Sequence, residues 1–425
     1  METRAYPAIG MVLYEGALPN GLRLRVLPTP GYSSRSIVFA AGLGGAHRRF
    51  YRDGQLVELP AGVAHFLEHK SFDLPDGDGA LQRLYANGAD PNAFTSADIT
   101  CYYLECTDRF EEDLRLLLHL VATPHLTEEA VEKERPIVAQ EILEGEDDPD
   151  VALYYNLLRQ LYEHHPIRER VAGTLESIAQ IDAEMLRLCY ESFYAPSNMC
   201  LCVVGDVDPE LVFRIAREEL PAEAGSIPVP DLGEPEGPRP LELYHQAEMD
   251  VSAPQFLIGA KIAPALRGED MLRQRLVASL ALRLLAGPTS SLYQRLYADG
   301  LIDRSFDVEV DFSAGTGTFL LGGESASPKD VLTLLRGELL RLDLEGLGPK
   351  AFERAKRASL GARLRGLEDP ASLCVALAET LFEGWCPLDA FALLPQIDIA
   401  ECEAFLRKEL DPARLAISII QPRRE

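Results

Sequence analysis

The sequence predicts an α+β fold built as two homologous domains in tandem, and three observations carry that expectation. Short segments rich in β-branched residues are followed by helical patterns that succeed one another with no strand between them, which favours segregated strands and helices over a doubly wound parallel sheet. The segment Leu81-Gln-Arg-Leu-Tyr-Ala-Asn-Gly88 returns as Tyr293-Gln-Arg-Leu-Tyr-Ala-Asp-Gly300, identical at six of eight positions and offset by 212 residues, half of the 425-residue chain. Between the repeats, Pro221 to Pro240 holds six prolines with glycines and acids and no apolar period, the composition of an exposed, semi-rigid linker. We expect an N-terminal domain over residues 1–225, a linker over 226–242 and a C-terminal domain over 243–425.

Taken in order, Leu22–Leu27 alternates with period two and Ser36–Ala41 is a mostly apolar run, as strands do. Met185–Phe193 and Asp330–Asp343 have helical periodicity instead. Pro196–Gly205 reads as a turn followed by a buried strand, and Pro412–Ile420 repeats that pattern near the end of the second half.

Composition narrows the function. With 47% hydrophobic and 25% charged residues the chain can fill two cores, so disorder and fibres are excluded. Forty-one Lys and Arg against 67 Asp and Glu give a formal charge of -26, which repels phosphate backbones and anionic lipid. Nucleic acid is not an expected partner, and a basic peptide is a more favourable one. No window reaches the roughly 18 uncharged apolar residues of a membrane helix, and the N-terminus lacks a basic start followed by an apolar stretch. The eight cysteines are scattered without a C-x-x-C pair, which excludes zinc-knuckle chemistry and suggests reduced thiols. We expect a cytoplasmic protein with no membrane association.

The informative segment is Gly62-Val-Ala-His65-Phe-Leu-Glu68-His69-Lys70, an H-x-x-E-H pattern in an apolar, helix-compatible context. Residues four apart share a helix face, so His65 and His69 can turn imidazole nitrogens toward one tetrahedral zinc with Glu68 beside them as general base. The third protein ligand must come from elsewhere. Downstream, residues 127–144 are helical in period and place Glu134 and Glu141, seven apart, on one face. One of them suits a ligand and the other a supporting carboxylate. His47, His119, His125, His245 and the loop pair His164-His165 read as ordinary core or surface histidines.

These residues resemble the pitrilysin, insulysin and mitochondrial processing peptidase family of zinc metallopeptidases, in which H-x-x-E-H is followed some seventy residues later by a ligand Glu, itself preceded by another Glu seven residues earlier. Here 71 positions separate His69 from Glu141. The resemblance implies one zinc per chain held by His65, His69 and Glu141, with Glu68 as general base and then acid, and Glu134 supporting the site. It also implies that each half is a mainly antiparallel sheet covered by helices, and that the two halves enclose part of a chamber. Gly88-Ala-Asp-Pro-Asn92-Ala93-Phe94-Thr95-Ser96 is similar to the family's edge strand, whose backbone pairs with an extended peptide, so Asn92, Ala93, Phe94 and Thr95 are expected to bind substrate. His165 to Thr174 is similar to its glycine-containing loop. Pro136, two residues after Glu134, predicts a kink able to rotate Glu134 away from Glu141.

The offset of 212 puts Val277, Leu280 and Ala281 where the first half has His65, Glu68 and His69, so the second half lacks the zinc motif. Nor does it carry the Arg and Tyr, seven apart, that the family's C-terminal half supplies to the substrate: Arg295 is followed seven residues later by Ile302. Small bacterial members often work as pairs, one subunit with the zinc motif and the other with the Arg/Tyr pair. The resemblance therefore implies a heterodimer with a homologous subunit, or failing that a homodimer, hydrolysing extended or unfolded peptides. The rivals are a noncatalytic structural subunit with a peptidase-like fold and a zinc hydrolase of nonpeptide amides or esters.

Overall fold

Every strand expected from the alternating and apolar runs forms, each half has one main sheet, and Arg49–Arg52, Gln55–Glu58 and Val229–Pro230 form a small third one. The computed structural model describes residues 1–71, 80–264 and 267–423. In chain order its strands begin with β1 (Glu2–Tyr6), β2 (Met11–Ala17), β3 (Arg23–Pro28), β4 (Arg35–Ala41), β5 (Arg49–Arg52), β6 (Gln55–Glu58), β7 (Asp90–Thr95), β8 (Thr100–Cys106) and β9 (Met199–Gly205). They continue with β10 (Val229–Pro230), β11 (Tyr244–Met249), β12 (Gln255–Lys261), β13 (Asp307–Asp311), β14 (Thr318–Glu324) and β15 (Ala416–Pro422). The helices of the first half are α1 (Val63–Lys70), α2 (Ala80–Ala86), α3 (Phe110–Ala122), α4 (Glu128–Asp147), α5 (Pro149–Leu161), α6 (Leu175–Ile178), α7 (Ala183–Phe193) and α8 (Pro209–Glu219). Those of the second are α9 (Gly268–Ala286), α10 (Ser291–Ala298), α11 (Pro328–Glu345), α12 (Pro349–Gly366), α13 (Pro370–Glu383), α14 (Ala390–Leu393) and α15 (Ile399–Glu409).

The first sheet has the order β1-β2-β3-β9-β4-β8-β7, antiparallel throughout except for the parallel pair β3–β9. The second has the order β11-β15-β12-β14-β13, again antiparallel except for β11–β15. Five consecutive strands, β3-β9-β4-β8-β7, thus repeat in the second sheet with the same single parallel pairing. The duplication first visible in one octapeptide extends to strand order and direction.

The chain divides into two compact units, one of residues 1–142, 170–232 and 363–388, the other of 143–169, 233–362 and 389–425. They depart from contiguous blocks such as 1–225 and 243–425 because each sheet is covered on one face by a helix from the other half of the sequence. In the first unit α13 lies across β9 and β4. Its Leu373, Cys374, Leu377 and Ala378 are buried, and Cys374 Sγ donates to the Cys202 carbonyl at 3.2 Å. Buried Arg25 of β3 donates to the carbonyls of Leu377 within that helix at 3.0 Å and of Trp385 just past its end at 2.8 Å. In the second unit α5 packs on β12 and β15 through Leu153, Leu157, Leu158 and Leu161. Gly259 admits it, because a Cβ there would lie 2.6 Å from Leu157. A sheet without such a cover would leave one apolar face in water, and these helices carry the matching apolar stripes.

The Pro-rich stretch is mostly exposed, as its composition predicts, yet it is pinned at two points. Val229–Pro230 adds antiparallel to β5, with Asp231 bridging Arg49 at 2.8 Å. Within the second unit Glu236 Oε1 accepts the N–H groups of Glu163, His164 and His165 at 2.9, 2.7 and 3.0 Å. All eight cysteines are buried free thiols. Among the described residues no helix is long and apolar enough to cross a membrane.

Candidate metal centre

Helix α1 is short, and its ends are fixed by the rest of the first unit. At its start Gly62 adopts φ 92°, and a Cβ there would stand 2.6 Å from the Ala172 carbonyl oxygen. Gly173 approaches Ala61 as closely from the other side, and Ser177 Oγ donates to the Ala61 carbonyl at 2.8 Å. The glycine-containing loop flagged by the sequence is therefore the clamp that seats the first turn of α1. At the far end Ser71 Oγ donates to the Leu67 carbonyl at 3.0 Å and accepts from the Tyr102 hydroxyl at 2.9 Å, which also bonds the Tyr194 hydroxyl. Val63, Ala64, Phe66 and Leu67 enter the core, and this burial aims the remaining face, His65 and His69, at α4.

Helix α4 supplies the carboxylates. It runs unbroken through Pro136, and Arg135 beside the proline donates to the carbonyls of Ile178 and Ile181, the latter at 3.0 Å. The proline does not turn Glu134 away: its Oε1 lies 3.1 Å from His69 Nδ1, and its side chain is largely buried rather than solvated. Glu141 Oε2 lies 3.5 Å from His65 Nε2 and 3.3 Å from His69 Nε2. The three donor atoms fall within 4.8 Å of one another.

The two distances from Glu141 fit a metal ion. A tetrahedral site with bonds of about 2.0–2.1 Å has edges of roughly 3.4 Å, and two imidazoles with one carboxylate form a donor set typical of catalytic zinc, which keeps a fourth position for water or substrate. The outer partners differ between the two histidines. His69 has an acceptor on Nδ1, which fixes the tautomer that frees Nε2, whereas buried His65 Nδ1 has no hydrogen-bond partner among the described residues. Burial, with the neighbouring His69, lowers the pKa of His65 to about 4, so its ring is neutral and available as a ligand at neutral pH. For His69 burial acts in the same direction, but the Glu134 hydrogen bond and the charges of Glu141, Glu68 and Glu134 outweigh it and raise the pKa.

Glu68 is buried beside the pair. Its Oε2 accepts the Thr95 hydroxyl at 2.6 Å. Burial raises its pKa against the opposing effects of Thr95 and His69, a direction suited to a group that takes up and returns a proton. Glu134 is held below the usual carboxylate range, chiefly by the His69 hydrogen bond and also by Lys70.

The four residues of the expected edge strand lie on β7, the outermost strand of the first sheet, which pairs with β8. Asn92 Oδ1 accepts the Ala93 N–H at 2.8 Å, and the Phe94 ring meets Tyr103 edge-on at 6.1 Å. Thr95 alternates to the opposite face from Phe94 and reaches Glu68. Sequence reasoning grouped Thr95 with backbone recognition and missed its hydroxyl contact with the candidate base. It also passed over Lys70, fully buried with Nζ 3.3 Å from Glu134 Oε2. The available signal was a lysine closing an otherwise apolar helix directly after the second histidine.

Residues 54–175 match the family model for insulinase, peptidase family M16, and residues 180–359 match that for the peptidase M16 inactive domain. An uncharacterized zinc protease of Bacillus subtilis, YmfH, is 34% identical over 98% of both chains. A second uncharacterized zinc protease of that organism, YmxG, is 24% identical over 83% of this chain and 84% of its own. The crystal structure of an M16-like peptidase from Alicyclobacillus acidocaldarius superimposes with a TM-score of 0.93 at 33% identity, covering 97% of this chain and 99% of that one. Pitrilysin shares the fold, with a TM-score of 0.82 at 18% identity, 99% of this chain matching 46% of its length. With H-x-x-E-H and the distant glutamate brought together on two packed helices, the chain belongs to the insulinase family of peptidases, M16.

Proposed function

We propose that this protein is a zinc-dependent endopeptidase of extended or unfolded peptides, with His65, His69 and Glu141 as the metal ligands and Glu68 as general base. The observation that carries the reading is the convergence of those three donor atoms within 4.8 Å, next to a buried glutamate oriented by Thr95. Zinc, when bound, lowers the pKa of a water toward about 7 and polarises the scissile carbonyl. Glu68 takes the proton of the attacking water and passes it to the leaving amine, while Thr95 holds one of its oxygens in place. Glu134 keeps the Nδ1 proton of His69, so that Nε2 points at the ligand cluster. Strand β7, through Asn92, Ala93, Phe94 and Thr95, offers an edge along which an extended peptide can pair.

The second half supplies no Arg and Tyr seven apart at the repeated segment. We infer that a homologous subunit contributes them and that the working form is a heterodimer. One observation favours a different reading, a noncatalytic role: the model matched by residues 180–359 is that of the family's inactive domain. It is outweighed by the intact set His65, Glu68, His69, Glu134 and Glu141. The test is a product screen by mass spectrometry on an unstructured peptide mixture, with the chain alone and with the most similar chain from the same cell. Cleavage that needs both chains supports the heterodimer, cleavage by this chain alone removes it, and cleavage under neither condition favours the noncatalytic reading.

A further inference from the structure

The side chain of Lys70 is 0% exposed, a costly place for an ammonium group unless it is paired. Its Nζ stands 3.3 Å from Glu134 Oε2, while the other oxygen of that carboxylate, Oε1, lies 3.1 Å from His69 Nδ1. Glu134 is thus held at both oxygens, by a lysine at the end of α1 and by the histidine immediately before it. A carboxylate held at one oxygen can rotate about its terminal bonds and leave its partner, whereas one held at both cannot rotate without breaking two contacts. Charge supports the same arrangement. With a divalent cation present, the three carboxylates Glu68, Glu134 and Glu141 leave one negative charge over, and the Lys70 ammonium balances it.

Resting on the zinc reading above, we propose that Lys70 is a positioning residue of the metal centre, pinning Glu134 so that His69 stays in the orientation that turns Nε2 toward the ligand cluster. It acts on the metal only through Glu134. Removing the pin lets Glu134 turn toward solvent and frees the His69 ring. A partner in this outer position is typically worth a factor of about 10–100 in metal affinity.

The test is a double-variant cycle on the full chain, read as the zinc dissociation constant by chelator competition and as the visible bands of the cobalt(II)-loaded protein. Lys70→Met is expected to weaken zinc binding about tenfold or more and to shift the cobalt bands, although no ligand has been changed. Glu134→Gln is expected to weaken binding by a similar factor, and Lys70→Met added to Glu134→Gln to change it less than about threefold. Lys70→Gln keeps a donor for Glu134 and is expected to hold affinity closer to wild type than Lys70→Met does. If the Met variant does not fold, Lys70→Leu, which likewise offers Glu134 no donor, carries the cycle in its place. Multiplication of the two single effects in the double variant, or a variant with an apolar side chain at position 70 that folds and binds zinc as tightly as wild type, would overturn the proposal. A wild-type chain that binds no zinc would overturn the underlying reading instead, so the two failures are distinguishable.

Discussion

At the residue scale the site is a division of labour among carboxylates set by their neighbours. Glu68, Glu134 and Glu141 lie around the same two histidines, and only Glu141 faces both Nε2 atoms. Replacing Glu68 by Gln removes the proposed proton acceptor and leaves every proposed ligand in place. Turnover is expected to fall by a factor of about 10²–10⁴ or to vanish, with zinc content by elemental analysis unchanged. Thr95→Val deletes the 2.6 Å hydrogen bond to Glu68 with little change in volume. A hydrogen bond to a charged group contributes about 1.5–3 kcal/mol, so kcat is expected to drop roughly tenfold to a hundredfold while the zinc dissociation constant stays within about twofold. His65 carries a pH prediction for the metal-free protein. Its pKa falls from 6.5 unfolded to about 4 folded, so as pH drops the unfolded chain takes the proton first. Stability is expected to decline between about pH 6.5 and 4, by roughly 3 kcal/mol from this residue, and His65→Gln should flatten the decline in chelator-treated thermal melts.

At the scale of elements, the decisive contacts are those that seat α1. Gly62 combines a left-handed backbone with the Ala172 carbonyl at 2.6 Å from any Cβ, so Gly62→Ala is expected to destabilise by at least about 2 kcal/mol and to weaken zinc binding together with stability, as chemical denaturation and chelator competition would show. Much of this element was legible in the sequence. The 3–4 spacing of His65, Glu68 and His69 places them on one helix, and the seven-residue spacing of Glu134 and Glu141 places both on one face of another. Those are local periodicities, which a single sequence carries. The placement of Glu134 beside Pro136 was not legible, because its partners His69 and Lys70 lie 65 and 64 residues away in the chain. The Thr95 contact was hidden for the same reason, since it requires the placement of α1 over β7.

For the whole molecule, duplication is visible in one octapeptide and is borne out by the shared strand order, but the exchange of covering helices is not. Nothing local in Pro149–Leu161 or Pro370–Glu383 states which sheet it will cover, because an apolar stripe records burial and not the identity of the covering surface. The exchange itself is testable: Leu377 is fully buried on α13 against the first sheet, and Leu377→Ala is expected to cost about 2–5 kcal/mol in denaturant unfolding. Because α13 belongs to the unit that carries the metal centre, that loss should reach zinc retention at elevated temperature as well. The most direct test of the account is a joint measurement of zinc content and peptide cleavage for wild type and Glu68→Gln, each with and without the homologous chain. The account predicts one zinc per chain in both proteins, and peptide products from wild type that are lost in Glu68→Gln. A wild-type chain that holds no zinc, or a Glu68→Gln variant that cleaves at the wild-type rate, would contradict it.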